Sequence, residues 1–193
     1  MKSKHLFNIY DSCDIHSGMN NVYYIFMENL SCDDINSFYL AYTNIIRERN
    51  HYIKTIPPSY EYVREWCLNN IKQQELHLIT KYNNALVGSC DIYSRRYEGA
   101  PHIGVLSIFV VKGYRGCGIA SQLLKDTLEK AQQRGFEKIE LEVLANNSSA
   151  IRCYKKFGFF QEGVRHKAKK LGPGKYIDVV LMAKYLDEPN NVL

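Results

Sequence analysis

A chain of 193 residues with 46% hydrophobic content is the size of one globular domain with a sizeable core. Its formal charge of +5, spread along the sequence, favours an anionic ligand without requiring nucleic acid. The six cysteines stand at 13, 32, 67, 90, 117 and 153, which excludes a C-x-x-C metal or redox pair, and the longest apolar run, around residues 105–111, falls far short of the ~20 residues of a membrane span.

Free buried thiols are the expected state of the cysteines. Nothing at the N-terminus has the apolar core of a signal peptide, so a soluble protein of the reducing cytoplasm is expected. Residues 1–20, polar and mixed, carry no periodic signal and are expected as a loose arm, leaving 21–188 as a single domain. Residues 22–27 read as a strand, and Ser31-Cys32-Asp33-Asp34 then offers N-cap residues to a helix reaching about residue 49. Pro57-Pro58-Ser59 opens a second helix. Three strand-like runs follow at 75–82, 85–93 and 102–111, the first two joined by an Asn83-Asn84 turn. A helix over about 118–134 places Leu123, Leu124, Thr127, Leu128 and Ala131 on one face and ends at Gly135. The strand 138–144 after it implies a parallel pair with a right-handed crossover. Two more strands, 161–171 and 176–186, flank the Gly172-Pro173-Gly174 turn.

The most informative segment is Val110-Val111-Lys112-Gly113-Tyr114-Arg115-Gly116-Cys117-Gly118-Ile119-Ala120, in which an apolar strand passes through glycines straight into an amphipathic helix. Glycines permit φ > 0 and close backbone approach, and the first amides of a helix have no partner inside it, so this junction is a seat for a phosphate or pyrophosphate. It is not a P-loop, which needs Lys and then Ser or Thr where Ile119 and Ala120 stand. Nor is it a dinucleotide fingerprint, which needs a third glycine at Ser121.

Arg115-x-x-Gly118-x-Ala120 resembles the acetyl-coenzyme A signature of the GCN5-related N-acetyltransferase (GNAT) superfamily. A second segment resembles the other core motif of that superfamily: Asn147, Ala150, Ile151, Tyr154, Gly158 and Phe159 stand at the matching spacings. The resemblance implies an α/β domain with a mixed, mostly antiparallel central sheet, a splayed parallel strand pair and flanking helices. It also implies acetyl-coenzyme A as cosubstrate. Backbone groups of Ile108, Phe109 and Val110 would pair with the pantetheine arm, and Arg115, Gly116, Cys117, Gly118, Ile119, Ala120 and Ser121 would seat the pyrophosphate. Asn147 would cap its helix and touch the cofactor, and Lys155 and Lys156 are candidates for the adenosine phosphates.

Acyl transfer from a thioester to an amine poses two proton problems. A lysine-like amine with pKa ~10.4 needs ~3.4 units of deprotonation at pH 7, about 4.6 kcal/mol, whereas a terminal amine at ~7.7–8.0 is nearly neutral already. The departing thiolate needs a proton, and the resemblance gives Tyr154 that role, against the plain alternative of a core aromatic. Glu142, five residues before Asn147, is the candidate base by likeness to the ribosomal-protein acetylating branch. With Glu140 it could equally form the solvated side of a half-buried strand. Other branches carry a basic Glu where Val105 stands here, and His102 is a weaker candidate proton shuttle. The six histidines show no ligand spacing, so no metal is expected.

The expected reaction is transfer of an acetyl group to a primary amine: a peptide N-terminus, an amino acid or a small amine. The alternative is a non-catalytic acyl-CoA- or RNA-binding module, motivated by Arg165-His166-Lys167-Ala168-Lys169-Lys170 and the 15 tyrosines. Oligomeric state is open, a homodimer included.

Overall fold

Strict alternation of apolar and polar residues fails in the middle strands, where residues 76–80 and 86–92 are buried in succession. Such runs arise when both faces of a sheet are covered. On one face Leu78, Ile92 and Leu106 pack with Leu123, Leu124 and Leu128. On the other, Ile79, Leu86 and Phe109 pack with Phe38, Ile45 and Val63. The result is a helix–sheet–helix sandwich.

The computed structural model describes residues 5–9, 23–48, 52–95 and 98–186. Its strands are β1 (His5–Ile9), β2 (Tyr23–Asn29), β3 (Leu76–Tyr82), β4 (Ala85–Ser94), β5 (Ile103–Val110), β6 (Lys138–Leu144), β7 (Phe160–Gly172) and β8 (Lys175–Tyr185). The helices are α1 (Ile35–Arg47), α2 (Tyr60–Lys72), α3 (Ile119–Gln133) and α4 (Ser148–Lys156). Among the described residues the strands form one eight-stranded sheet in the order β1-β2-β3-β4-β5-β6-β8-β7, antiparallel throughout except for β5 and β6. This is the α/β class and mixed topology expected. Among the described residues no helix is long and apolar enough to cross a membrane.

Local chemistry explains most boundaries. Asn83 and Asn84 both take positive φ, 47° and 62°, in the two-residue turn that joins β3 to β4. Ser59 caps α2 by accepting a 3.2 Å bond from the Tyr62 amide. Helix α1 stops at Arg47, two residues short of the expected end. Strand β1 departs from the loose arm expected over 1–20: residues 5–9 pair with β2, and the rest of that stretch lies outside the described residues. The expectation of free buried thiols holds for Cys67 and Cys90. Cys32 is free but exposed, and Cys117 is disulfide-bonded.

The parallel pair decides where a ligand can enter. Strands β5 and β6 meet through only three residue pairs, Ile103↔Lys138, Gly104↔Ile139 and Val105↔Glu140. Beyond this seam β5 continues along β4 to Val110, and β6 continues along β8 to Leu144, so the two diverge. Gly104 is what lets them meet: a Cβ there would lie 2.6 Å from Ile92 Cγ2 and 2.7 Å from Ile139 Cδ1.

Candidate active site

The splay leaves an edge of β5 open from Leu106 onward, with backbone groups that an extended ligand can join as an added strand. Ile108, Phe109 and Val110, the expected backbone partners, lie on this open reach. At its end the chain turns into α3 through Gly116 and Gly118, both at φ 80°. A Cβ at either would meet nothing within 4 Å among the described residues, which leave the space above the loop open. The first amides of α3 face that space without intrahelical partners, and the helix dipole adds ~0.3–1 kcal/mol for a nearby anion.

Of the seven loop residues expected to seat a pyrophosphate, Gly116, Gly118 and Ser121 are exposed. Cys117 and Ile119 are buried in the core, so they can contribute only through the backbone. The Arg115 side chain does something other than expected. Its Nη1 and Nη2 donate to Glu48 at 2.7 and 2.9 Å, and its Nε donates to the Val110 carbonyl at 2.8 Å. This bidentate clamp ties the end of α1 to the end of β5. Arg115 therefore holds the loop in shape rather than reaching over it.

Helix α4 stands beside the seat, with Ser121 Oγ 3.8 Å from Cys153 Sγ. Asn147 is its N-cap, as expected, and accepts from the Ala150 amide at 3.3 Å and the Ser149 hydroxyl at 3.1 Å. Tyr154, 8% exposed, points into the core against Phe159, and no hydrogen bond holds its hydroxyl among the described residues. Burial, reinforced by the neighbouring Cys90 and Cys153, raises its pKa well above that of a free phenol. Lys155 and Lys156 are exposed in the last turn of α4, where cations suit the helix dipole.

The carboxylates of β6 lie on the opposite face of the sheet from α3. Glu140 pairs with Arg95 and Lys138. Glu142 accepts from Arg165 through Oε1, and Oε2 has no partner among the described residues. His102 precedes the seam at the other end of β5, where its backbone carbonyl accepts from the Glu137 and Lys138 amides. The basic run on β7 is largely committed within the fold. Arg165 holds Glu142, His166 holds Asp178, and buried Lys169 donates to the Tyr52 carbonyl at 2.7 Å. A bulge between Arg165 and Lys169 turns this last residue inward.

Sequence reasoning passed over a cavity of about 250 Å³ on the face covered by α1 and α2. Its walls are aromatic: Phe38 stacks on Tyr42 and Trp66 at 5.5 and 5.7 Å and leans on Phe109 at 5.8 Å. Tyr52 closes another side, edge-on to Tyr42 and hydrogen-bonded to Ser107 Oγ at 2.7 Å. Asp91 of β4, 8% exposed, lies opposite Ser107 and lines the cavity, yet among the described residues no hydrogen bond or ion pair engages its carboxylate. Burial pushes its pKa up to about 7, against the opposing pull of Lys54. Among the described residues no group of His, Cys, Asp and Glu is arranged to hold a metal.

Comparison with known proteins matches the profile of the Acetyltransferase (GNAT) family to residues 39–159. An L-amino acid N-acetyltransferase of Escherichia coli is 31% identical over 108 residues, 55% of this chain and 66% of the relative. A [ribosomal protein bS18]-alanine N-acetyltransferase of Haemophilus influenzae is 27% identical over 118 residues, 61% of this chain and 77% of the relative. The chain spans 59% to 66% of the length of the first three curated relatives it matches. A solved N-acetyltransferase from Staphylococcus aureus Mu50 shares the fold with a TM-score of 0.79 at 21% identity, covering 84% of this chain and 99% of that one.

Proposed function

This chain belongs to the acetyltransferase (GNAT) family, and we propose that it transfers an acetyl group from acetyl-coenzyme A to a primary amine by direct attack, as a soluble cytoplasmic enzyme. One observation carries the reading. The open edge of β5 runs into a glycine-lined helix start, with the Tyr154 helix alongside and an aromatic cavity on the other face. The acceptor is a modest-sized amine: a peptide N-terminus, an amino acid or a small amine.

Bound acetyl-coenzyme A supplies an acyl group activated as a thioester. The backbone of Ile108, Phe109 and Val110 takes the pantetheine arm, and the amides from Gly116 to Ser121 take the pyrophosphate, with Asn147 bordering the cleft. Arg115 acts indirectly by fixing the loop. Tyr154 gives its phenolic proton to the departing sulfur. Its raised pKa keeps the phenol protonated throughout the working pH range but makes it a weak acid, so the proton moves only as the C–S bond breaks and charge builds on sulfur.

Glu142 is the proposed acceptor of the amine proton, through the oxygen that Arg165 leaves free. Glu142→Gln is then expected to lower turnover towards the lower end of the ~10²–10⁴ range of general acid–base effects. The deficit should be largest at low pH and shrink at high pH, where more of the amine is already neutral. A pH–rate profile with a single acceptor checks this, and a pH-independent deficit would give Glu142 a structural role through Arg165.

Binding is tested first by thermal unfolding. Acetyl-coenzyme A at ~100 times its dissociation constant should stabilise the fold by about 2.7 kcal/mol. An unchanged melting temperature, together with a rise on adding an RNA oligomer, would replace the enzyme reading with a binding module.

A further inference from the structure

A buried carboxylate without a hydrogen bond is costly, and it persists where something else satisfies it. Among the described residues Asp91 is such a group, and it lines a cavity walled mainly by aromatic rings. Ring faces carry negative charge density and attract cations. The cavity already demonstrates this preference, because the Lys54 ammonium lies 5.7 Å from the centroid of Tyr42 and 5.8 Å from that of Tyr62. Lys54 is exposed and forms no ion pair with Asp91 within 4 Å, so it lines the site without filling the carboxylate's need. Ser107 and Phe109 belong both to this cavity and to the open reach of β5, so an occupant sits against the strand that would carry the thioester.

We propose that this cavity is the acceptor site and that its substrate is a monoamine on an aromatic or compact apolar body, bound first as the ammonium on Asp91 and attacking as the neutral amine once that proton has passed to the base. Two features set the class. The stacked rings of Phe38, Tyr42 and Trp66 offer flat apolar surface to the body of the amine. The Lys54 charge repels a second ammonium, which selects against diamines and polyamines. This assignment rests on the acetyl-transfer reading for its chemistry, but the binding it describes stands apart from turnover.

The test uses phenethylamine and 1,4-diaminobutane as probes, with binding followed by calorimetry in the presence of coenzyme A and turnover by thiol release. Phenethylamine should bind at least about tenfold more tightly than the diamine, in proportion to a single unfavourable charge contact. Asp91→Asn, nearly isosteric, should weaken phenethylamine roughly 10- to 100-fold while leaving coenzyme A affinity unchanged. Lys54→Glu, at an exposed position that does not threaten folding, should narrow or reverse the preference over the diamine. Equal binding of the two amines by the unmodified protein overturns the proposal, as does wild-type affinity in Asp91→Asn or an unaltered preference in Lys54→Glu. Binding as expected with no thiol released keeps the pocket and removes acetyl transfer. Acetylation of another amine without phenethylamine binding removes the pocket and keeps acetyl transfer.

Discussion

Tyr154→Phe is expected to fold and to bind acetyl-coenzyme A like the unmodified protein while its turnover falls by ~10²–10⁴. The separation between binding and catalysis follows from where the residue stands. Its ring is a core element packed against Phe159, and phenylalanine keeps that packing. Its hydroxyl forms no hydrogen bond among the described residues, so removing it leaves no buried donor or acceptor without a partner. The loss is confined to a proton. Burial and the adjacent Cys90 and Cys153 hold that proton on the oxygen, so the unmodified enzyme should show no fall in rate from Tyr154 ionisation even in alkaline assays. Without the phenol the sulfur must leave as a bare thiolate. Steady-state rates beside cofactor-induced thermal shifts decide the matter, and unchanged turnover would return Tyr154 to the core.

Gly118→Asp is expected to weaken cofactor binding by about 10³ with little harm to the fold. The glycine is at φ 80°, a region where aspartate is tolerated better than most residues, and the new Cβ meets nothing within 4 Å among the described residues. The cost to stability is therefore about 1–2 kcal/mol of backbone strain. The carboxylate enters the space above the α3 amides and confronts the incoming phosphates. At ~4 Å and an effective dielectric near 20 the repulsion is about 4 kcal/mol, enough for a loss of about 10³ in affinity. Gly118→Asn carries the same strain without the charge and should keep a larger share of binding. Coenzyme A calorimetry on both variants reads the difference, and wild-type affinity in Gly118→Asp would move the pyrophosphate elsewhere.

The glycine turn before α3 and the Asn147 cap were legible in the sequence because their signals are local. Glycines before an amphipathic helix and an Asn three residues before the amide it caps announce themselves within one turn of chain. Arg115 is the contrary case. Its motif position suggested a contact with the ligand, but Glu48, the partner that absorbs its charge, is 67 residues away. Glu142 likewise acquires Arg165 only when β8 brings β7 alongside. Asp91 sits in a buried run, Cys90-Asp91-Ile92, whose second face is covered by α1 and α2. Nothing in the local pattern says that those helices bring rings rather than partners for the carboxylate. Tyr52 and Lys54 come from the segment between α1 and α2, and long-range bonds to Ser107 and Lys169 position Tyr52 there. The bulges of β7 have no sequence signal, since the pairing strand decides where the extra residues fall.

The three-pair seam between β5 and β6 divides the sheet into two leaves, β1 to β5 and β6 with β8 and β7, bound along one short spine. Such an arrangement is a lever. Gly104 sits at the fulcrum in contact with side chains of both leaves, and the mouth lies several residues further along β5. A methyl group added at the spine would wedge the leaves by tenths of an ångström locally, and that displacement would grow with distance towards Val110. The aperture of the proposed cofactor cleft is therefore gauged by side chains outside it, and Ile92, Phe136 and Ile139 bear on its width as much as the glycine loop does.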